Sequence, residues 1–408
     1  MFDSLTGIYS ETGINSSYEK YLEQYPNANF IMIDLKLFKL FNDNYGHDMG
    51  DRVLKVFAEL LSNYFKGSVV ARLHGDEYAL VTDASEREIE ERFARIENDI
   101  ERVVTSGTLP QKFEFNGGVA KATPNMKETR EKADYMMYNA KKKSHVFQGY
   151  DEALWKKKQK VDKFLQNVAM DLSDHTLTYC ERDIVDNHGG EVISEITTRD
   201  SKGESIFSEE NYEILRENSL LRKIDLYNLE YLFRELAKMP NKERVLLNID
   251  YKSLLFKDDL LGYIKVLVEN THVSPSQIIL SINVNDIKTN LYPRIIDTAN
   301  SLKTLGFGLC LDKYSSITPD KIVESVNIDY IKFDYDYWKN SKDNVRARAL
   351  IAAKIKLYGD VAGIEPIFTC ISDKKDYEYA RILAGECSTP VHLSGNYIAR
   401  EEQVVKRK

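Results

Sequence analysis

The chain has 408 residues, 43% hydrophobic and 29% charged, a globular composition too long for one ordinary core, so two domains are expected. Its net charge of −8, with acids and bases mixed along the chain, argues against a nucleic-acid or anionic-membrane binder, whose footprint is basic. Cys180, Cys310, Cys370 and Cys387 lack CxxC or zinc spacing and read as small buried hydrophobes in a reducing cytoplasm.

No apolar run approaches bilayer length and no signal-peptide pattern opens the chain, so no membrane span is expected. Folded-looking sequence starts at once, and no sensor segment is expected ahead of it. Asp3-Ser4-Leu5-Thr6-Gly7 carries the residue types of a turn before a helix. Asn29–Ile33 (NFIMI) is a compact apolar run closed by Asp34, a buried strand with a carboxylate at the sheet edge, where α/β folds bind ligands. Leu35–Asp51 packs Asn, Asp, Gly and His together. From Arg52, Val53, Val56, Phe57, Leu60, Leu61 and Tyr64 repeat at helical spacing, and Gly67 stops the helix.

Val69–Val81 (VVARLHGDEYALV) reads as a hairpin, with β-branched and aromatic runs flanking His74-Gly75-Asp76-Glu77. A hairpin turn needs one Asn or Asp beside its glycine, so the second carboxylate is surplus. On the tetrapeptide alone, a solvated acidic turn explains it better than a divalent-cation site does. Glu86–Val104 is amphipathic, with Ile89, Phe93, Ile96 and Ile100 on one face. Phe113–Ala120 is a strand whose two glycines allow another backbone to approach. Lys132–Lys143 is helical; its closing lysines complement the helix dipole, and Lys141 is also a candidate for a triphosphate. Asp34 and Asp76, on neighbouring strands, are candidate metal ligands, since two carboxylates completed by phosphates and water suit Mg²⁺.

Gln148-Gly149-Tyr150 closes the first domain. Asp151–Leu172 reads as a stiff helical linker with Trp155, Phe164, Leu165 and Val168 on its apolar side. Residues 173–408 then alternate strand and helix. Strands are expected at Thr176–Cys180, Val192–Thr197, Val245–Ile249, Ile278–Ile282, Phe307–Leu311 and Tyr330–Phe333, with helices such as Asn228–Lys238 and Pro293–Leu305 between them. Such alternation predicts a (β/α) barrel whose site lies at the C-terminal strand ends, where Asn248, Asn283, Asp312 and Asp334 fall.

Residues 1–150 resemble the GGDEF domain, the diguanylate cyclase family that joins two GTP into cyclic di-GMP. Asp3-x-Leu5-Thr6-Gly7 is similar to its DxLTG segment. Asp34, Phe38-Lys39, Asn42-Asp43, Gly46-His47 and Gly50-Asp51 fall at the spacing of its DxDxFKxINDxxGHxxGD stretch, and HGDEY stands at its signature. Ala133-Asp134, Tyr138 and Ala140-Lys141 match its closing ADxALYxAK pattern. The resemblance implies an α/β domain with a central, mainly antiparallel sheet flanked by helices. It implies Mg²⁺ or Mn²⁺ on Asp34 and Asp76, and a nucleotide held by Phe38, Asn42, His47, Asp51, Gly75 and Lys141. Asp76 and Glu77 would be catalytic, with Glu77 deprotonating the attacking 3′-hydroxyl or positioning the metal. Asp51 accepts what a guanine edge donates. Six positions depart from the family. His74 replaces the first signature glycine, Tyr78 the phenylalanine, Lys36 the second acid of DxD and His145 a phosphate-reaching arginine; Phe65 and Ser68 replace the RxxD product-inhibition motif.

Residues 173–408 resemble the EAL domain, the cyclic di-GMP phosphodiesterase family with a TIM-type barrel. Matching positions are Glu195 and Arg199, Asn248 in LLNID, Asp312, and Lys332 in IKFD. Its departures fall on chemistry. QPI reads Arg182-Asp183-Ile184, Thr197 replaces the EAL leucine, and ExxE becomes Ser281-Ile282-Asn283-Val284. Lys313 replaces the second Asp of DDFG, ahead of a shortened loop Tyr314-Ser315-Ser316, and Thr369 and Ser372 replace the acids of AEGVE. A two-metal hydrolase needs several carboxylates, so phosphodiesterase activity is not expected. The resemblance implies GTP and cyclic di-GMP as ligands, a homodimer if the cyclase is active, and a regulatory barrel open to a protein partner. A non-enzymatic effector or scaffold with both domains degenerate stays open beside it.

Overall fold

The computed structural model describes residues 1–187, 192–239, 244–315, 318 and 320–403, and divides the chain into two compact units, Met1–Lys160 and Val161–Lys408. The first unit is built on six strands: β1 (Tyr9–Ser10), β2 (Asn29–Leu35), β3 (Val69–His74), β4 (Glu77–Thr82), β5 (Phe115–Lys121) and β6 (Phe147–Gln148). They lie in the order β1-β3-β4-β2-β5-β6, the four long central ones antiparallel and the two short outer ones parallel to their neighbours. Alternation along β2 feeds two cores. Ile31, Ile33 and Leu35 pack with Phe57, Tyr78, Phe93 and Phe115 under helices His47–Tyr64 and Glu86–Thr105. Phe30 and Met32 pack with Ile14, Tyr18, Ala133 and Met137 under helices Glu11–Gln24 and Met126–Lys142. Both faces being covered is why NFIMI is apolar throughout.

Two helices start earlier than periodicity suggests. His47–Tyr64 enters after Gly46, preceded by a separate helix, Phe38–Tyr45, inside the polar stretch that reads as loop. Met126–Lys142 begins at an Asn125 cap, and its polar first turns hide its buried side. Gly118 shows why the FNGG strand has glycines: a Cβ there would stand 2.0 Å from the Met137 amide nitrogen.

In the second unit β7 (Thr178–Asp186), β8 (Val192–Arg199), β9 (Val245–Asp250), β10 (Ile278–Asn283), β11 (Gly308–Tyr314), β12 (Tyr330–Phe333), β13 (Glu365–Phe368) and β14 (His392–Leu393) close into a barrel through β14–β7, and β15 (Glu402–Gln403) pairs antiparallel with Glu181 and Cys180 of β7. The barrel is not uniformly parallel: β7 runs antiparallel to β8 and to β14. Inward side chains form a floor of Ile184, Ile193, Leu246, Ile279, Cys310, Tyr330 and Ile367, and the next inward positions along the strands are polar. β13 and β14 have no counterpart among the expected strands, because one contains Pro366 and the other has two residues. Ser316 of the expected shortened loop lies outside the described residues. Helix Glu152–Ser173 runs across the division between the units. Among the described residues no helix is long and apolar enough to cross a membrane.

Candidate functional site

In the first unit the site gathers where β2 ends beside the β3–β4 hairpin. The register sets Asp34 directly opposite Glu77 on β4 and Asn116 on β5. The Leu35 amide donates to the Asp76 carbonyl at 3.3 Å, tying the turn to the end of β2. Burial, then repulsion from Asp34, raises the Asp76 carboxyl above its ordinary range; Lys141 and His74 act against this. Lys141, in the last turn of its helix, pairs with Asp34 at 2.6 Å. Arg72 braces the hairpin, donating to the Gly75 carbonyl at 2.8 and 2.9 Å and pairing with Asp3, which also accepts from the Thr6 amide.

The departures from the family pattern have local explanations. His74 points outward, 67% exposed, and its Nε2 lies 3.2 Å from the Glu77 carboxylate. Tyr78 is fully buried, and its hydroxyl donates to the Leu54 carbonyl at 3.0 Å. Lys36 pairs with Glu114 at 3.1 Å. Phe65 is core, and Ser68 bonds Thr82. The His145 side chain is exposed, while its carbonyl accepts from Asn116 Nδ2 at 2.5 Å.

Phe38, Asn42 and Gly50 converge between the helices Phe38–Tyr45 and His47–Tyr64. A Cβ on Gly50 would stand 1.8 Å from Asn42 Oδ1 and 3.3 Å from the Phe38 ring, so a larger residue there would push the Asn42 amide aside. Asn42 Oδ1 is buried without a hydrogen-bond partner. A buried orphan acceptor is costly; Oδ1 faces Gly50, so a nucleobase N–H reaches it only once the Asn42 amide has turned. His47 and Asp51 are exposed one helical turn apart on the same helix. Sequence reasoning missed Asn116, whose Oδ1 is also a buried orphan beside Asp34. A polar residue inside a buried strand, just ahead of Gly-Gly, was the signal for it.

In the barrel, Glu195, Thr197 and Arg199 share the inward face of β8 by strand alternation. Glu195 Oε1 accepts from Lys332 Nζ at 2.6 Å and from Asn248 Nδ2 at 2.9 Å, and Lys332 donates to Asn248 Oδ1 at 3.1 Å. Burial works to raise the Glu195 carboxyl, but the Lys332 ammonium overcomes it and holds the group below its usual range; Lys332 is raised in turn. Asp312 turns Oδ1 back to the Lys313 amide at 2.9 Å, and the Lys313 ammonium lies over the Tyr212 ring. Arg199 is not part of the Glu195 triad; it pairs with Glu401. Asp334 caps helix Tyr335–Asn340.

Among the described residues no three His, Cys, Asp or Glu side chains form a group able to hold a metal ion. A cation in the first unit therefore depends on substrate phosphates beside Asp34 and Asp76, a set that fits Mg²⁺. The barrel keeps Glu195 and Asp312, but Ser281, Lys313, Thr369 and Ser372 stand where the family pattern has further acids, and this donor set is too poor in carboxylates for a two-metal centre.

A three-layer α/β unit with this hairpin, followed by a barrel whose first strand is reversed, defines a tandem architecture. The family model described as "Diguanylate cyclase, GGDEF domain" matches residues 1–145, and that of the EAL domain matches 184–399. The chain belongs to the EAL family, which covers more than half of it, with a GGDEF domain in tandem. It is 29% identical over 149 residues to "Probable diguanylate cyclase DgcC" of Escherichia coli K12 (34% of this chain, 40% of that one). It is 28% identical over 149 residues to "Diguanylate cyclase VdcA" of Vibrio cholerae (35% and 44%). The chain thus spans about two fifths of the length of these curated relatives. Among solved structures, the ligand-free S helix-GGDEF-EAL portion of Vibrio cholerae LapD is similar in fold at 14% identity, covering 97% of this chain and 95% of that one with a TM-score of 0.50. The Xanthomonas citri FimX EAL domain, solved in complex with c-diGMP, is similar in fold at 12% identity, covering 63% and 99%, with a TM-score of 0.52.

Proposed function

We propose that the chain is a cyclic di-GMP signalling protein whose first unit binds GTP with Mg²⁺ and condenses two GTP to cyclic di-GMP when two loaded copies face each other. The observation that carries the reading is the convergence of Asp34, Asp76 and Lys141 where β2 meets the hairpin, followed in the chain by Phe38, Asn42, His47 and Asp51 on the next two helices. Asn42 and Asp51 accept the N–H donors of guanine, and Phe38 packs beside them. Lys141 gives up Asp34 and takes phosphate oxygens. Asp34 and Asp76 would hold the cation, which when bound neutralises triphosphate charge in an in-line transfer. Glu77 takes the 3′-hydroxyl proton of one GTP as that oxygen bonds the α-phosphorus of the other and pyrophosphate leaves. Repeating the step closes the ring.

The barrel, on this reading, takes up cyclic di-GMP without hydrolysing it and serves regulation or partner docking. The replacement of the family's acids by Ser281, Lys313, Thr369 and Ser372 supports this, because a two-metal hydrolase needs several carboxylates. A second reading, a GTP-binding effector without turnover, is favoured by one observation: the position of the family's arginine is taken by an exposed histidine, His145.

The test incubates purified protein with GTP and Mg²⁺ or Mn²⁺ and looks for cyclic di-GMP by mass-resolved chromatography. Product that disappears in Asp76→Ala supports the cyclase. GTP binding without product selects the effector, and absence of both binding and product ends the reading of the first unit. Conversion of added cyclic di-GMP to the linear dinucleotide would overturn the reading of the barrel.

A further inference from the structure

The barrel mouth carries positive charge that its buried triad leaves unused. Thr197 and Arg199 on β8 close on one carboxylate, that of Glu401, and Arg182 on β7 stands beside it while donating to Asn396 Oδ1 at 2.9 Å. Thr197 Oγ1 donates to Glu401 Oε1 at 2.8 Å, the Arg199 guanidinium pairs with Oε2, and Arg182 lies 3.8 Å from that same oxygen. Glu401 is 20% exposed and forms part of the wall of a cavity of about 230 Å³, lined also by Arg199, Asn248, Asp312 and Lys313. It is delivered there by β15, whose two residues pair with Glu181 and Cys180 of β7.

A guanidinium and a hydroxyl bonded to one anion, with the Arg182 guanidinium 3.8 Å from it, form a donor set suited to a phosphate or phosphodiester. Here the anion is the protein's own. With Glu401 in place the cavity, at about 230 Å³, falls below the roughly 300–1,000 Å³ of ligand pockets. The strand that holds it there is short, and its register sets Glu402 opposite Glu181.

We infer that Arg400–Gln403 is an internal strap: Glu401 occupies the phosphate-recognising groups of the barrel mouth, and a phosphodiester ligand must displace it to bind. This deepens the reading of the barrel as a non-hydrolysing cyclic di-GMP domain and rests on it. Glu401 then sets the concentration at which the barrel responds, and release of β15 is the movement that reports occupancy.

The experiment is calorimetric titration of the full chain with cyclic di-GMP, for wild type, Glu401→Gln, Glu401→Ala and the double variant Glu401→Ala/Arg199→Ala. Glu401→Gln keeps an acceptor for Thr197 and guards against misfolding, which thermal unfolding checks for every form. Both single variants are expected to bind at least about tenfold tighter than wild type, a step of ~1.4 kcal/mol, and Arg199→Ala is expected to erase the gain. Equal affinity in wild type and both Glu401 variants overturns the strap and leaves the barrel's ligand reading standing. A gain that survives Arg199→Ala also overturns it, because the ligand then binds elsewhere. If no form binds, the ligand reading falls and the strap with it.

Discussion

Replacing Lys332 with methionine tests what the centre of the barrel is for. Lys332 and Glu195 are 3% and 11% exposed, 2.6 Å apart, and share Asn248 as the third member. Methionine fills the lysine stem but leaves the Glu195 carboxylate buried beside a neutral thioether. Breaking a buried pair from one side costs about 3–5 kcal/mol, whereas replacing both partners by uncharged residues of similar volume is often nearly neutral. At ~2–4 °C per kcal/mol for a unit of this size, Lys332→Met should melt roughly 10 °C lower. Lys332→Met/Glu195→Gln should recover most of the loss. Scanning calorimetry that follows the barrel transition reads both. The sign with pH is fixed by the lowered Glu195 carboxyl. Its stabilisation is present above the ordinary glutamate value and is lost as pH falls through the lower folded-state value. The wild type should therefore lose this contribution in acid, and the double variant should not. A single variant within ~1 kcal/mol of wild type would refute the reasoning, as would Mn²⁺ raising the wild-type barrel transition, since a metal would then displace Lys332.

Burial raises the Asp225 carboxyl to about 8, although Ser253 and the Asp250 amide donate to it. The folded state holds that proton after the unfolded chain has released it. Wild-type stability should thus fall as pH rises from the ordinary aspartate range to about 8, and Asp225→Asn should flatten the dependence in urea unfolding at pH values spanning that window. Asn42→Ala removes an acceptor with no partner in the protein, so it should leave thermal stability of the nucleotide-free protein nearly unchanged. GTP affinity should drop about tenfold, the upper range for one hydrogen bond; an equal loss of stability would make Asn42 merely structural. Tyr78→Phe deletes the bond to the Leu54 carbonyl and should cost about 0.5–1.5 kcal/mol with the fold intact. His74→Gly removes an exposed contact to Glu77 worth ~1 kcal/mol at most, so GTP affinity should change by less than about fivefold. A larger gain would mean that His74 obstructs the nucleotide.

What the sequence determined by itself was local. Phe30 and Met32 alternating with Ile31 and Ile33 define a strand with two covered faces, and the two carboxylates of the Gly75-Asp76-Glu77 turn mark the hairpin. Each signal is contained within a few consecutive residues, where strand period and turn chemistry act. The tertiary structure decided the rest, because it depends on partners far along the chain. Strand β13, with Pro366, and the two residues of β14 become barrel staves only because β12 and β7 offer them ladders. Lys332 reads from sequence as a matched position, but its role as counter-ion is set by Glu195, 137 residues away. Glu401 belongs to no motif or periodic pattern in the sequence. Closure of the barrel brings it onto Thr197, 204 residues earlier, and an electrostatic contact between strand ends leaves no mark on local periodicity.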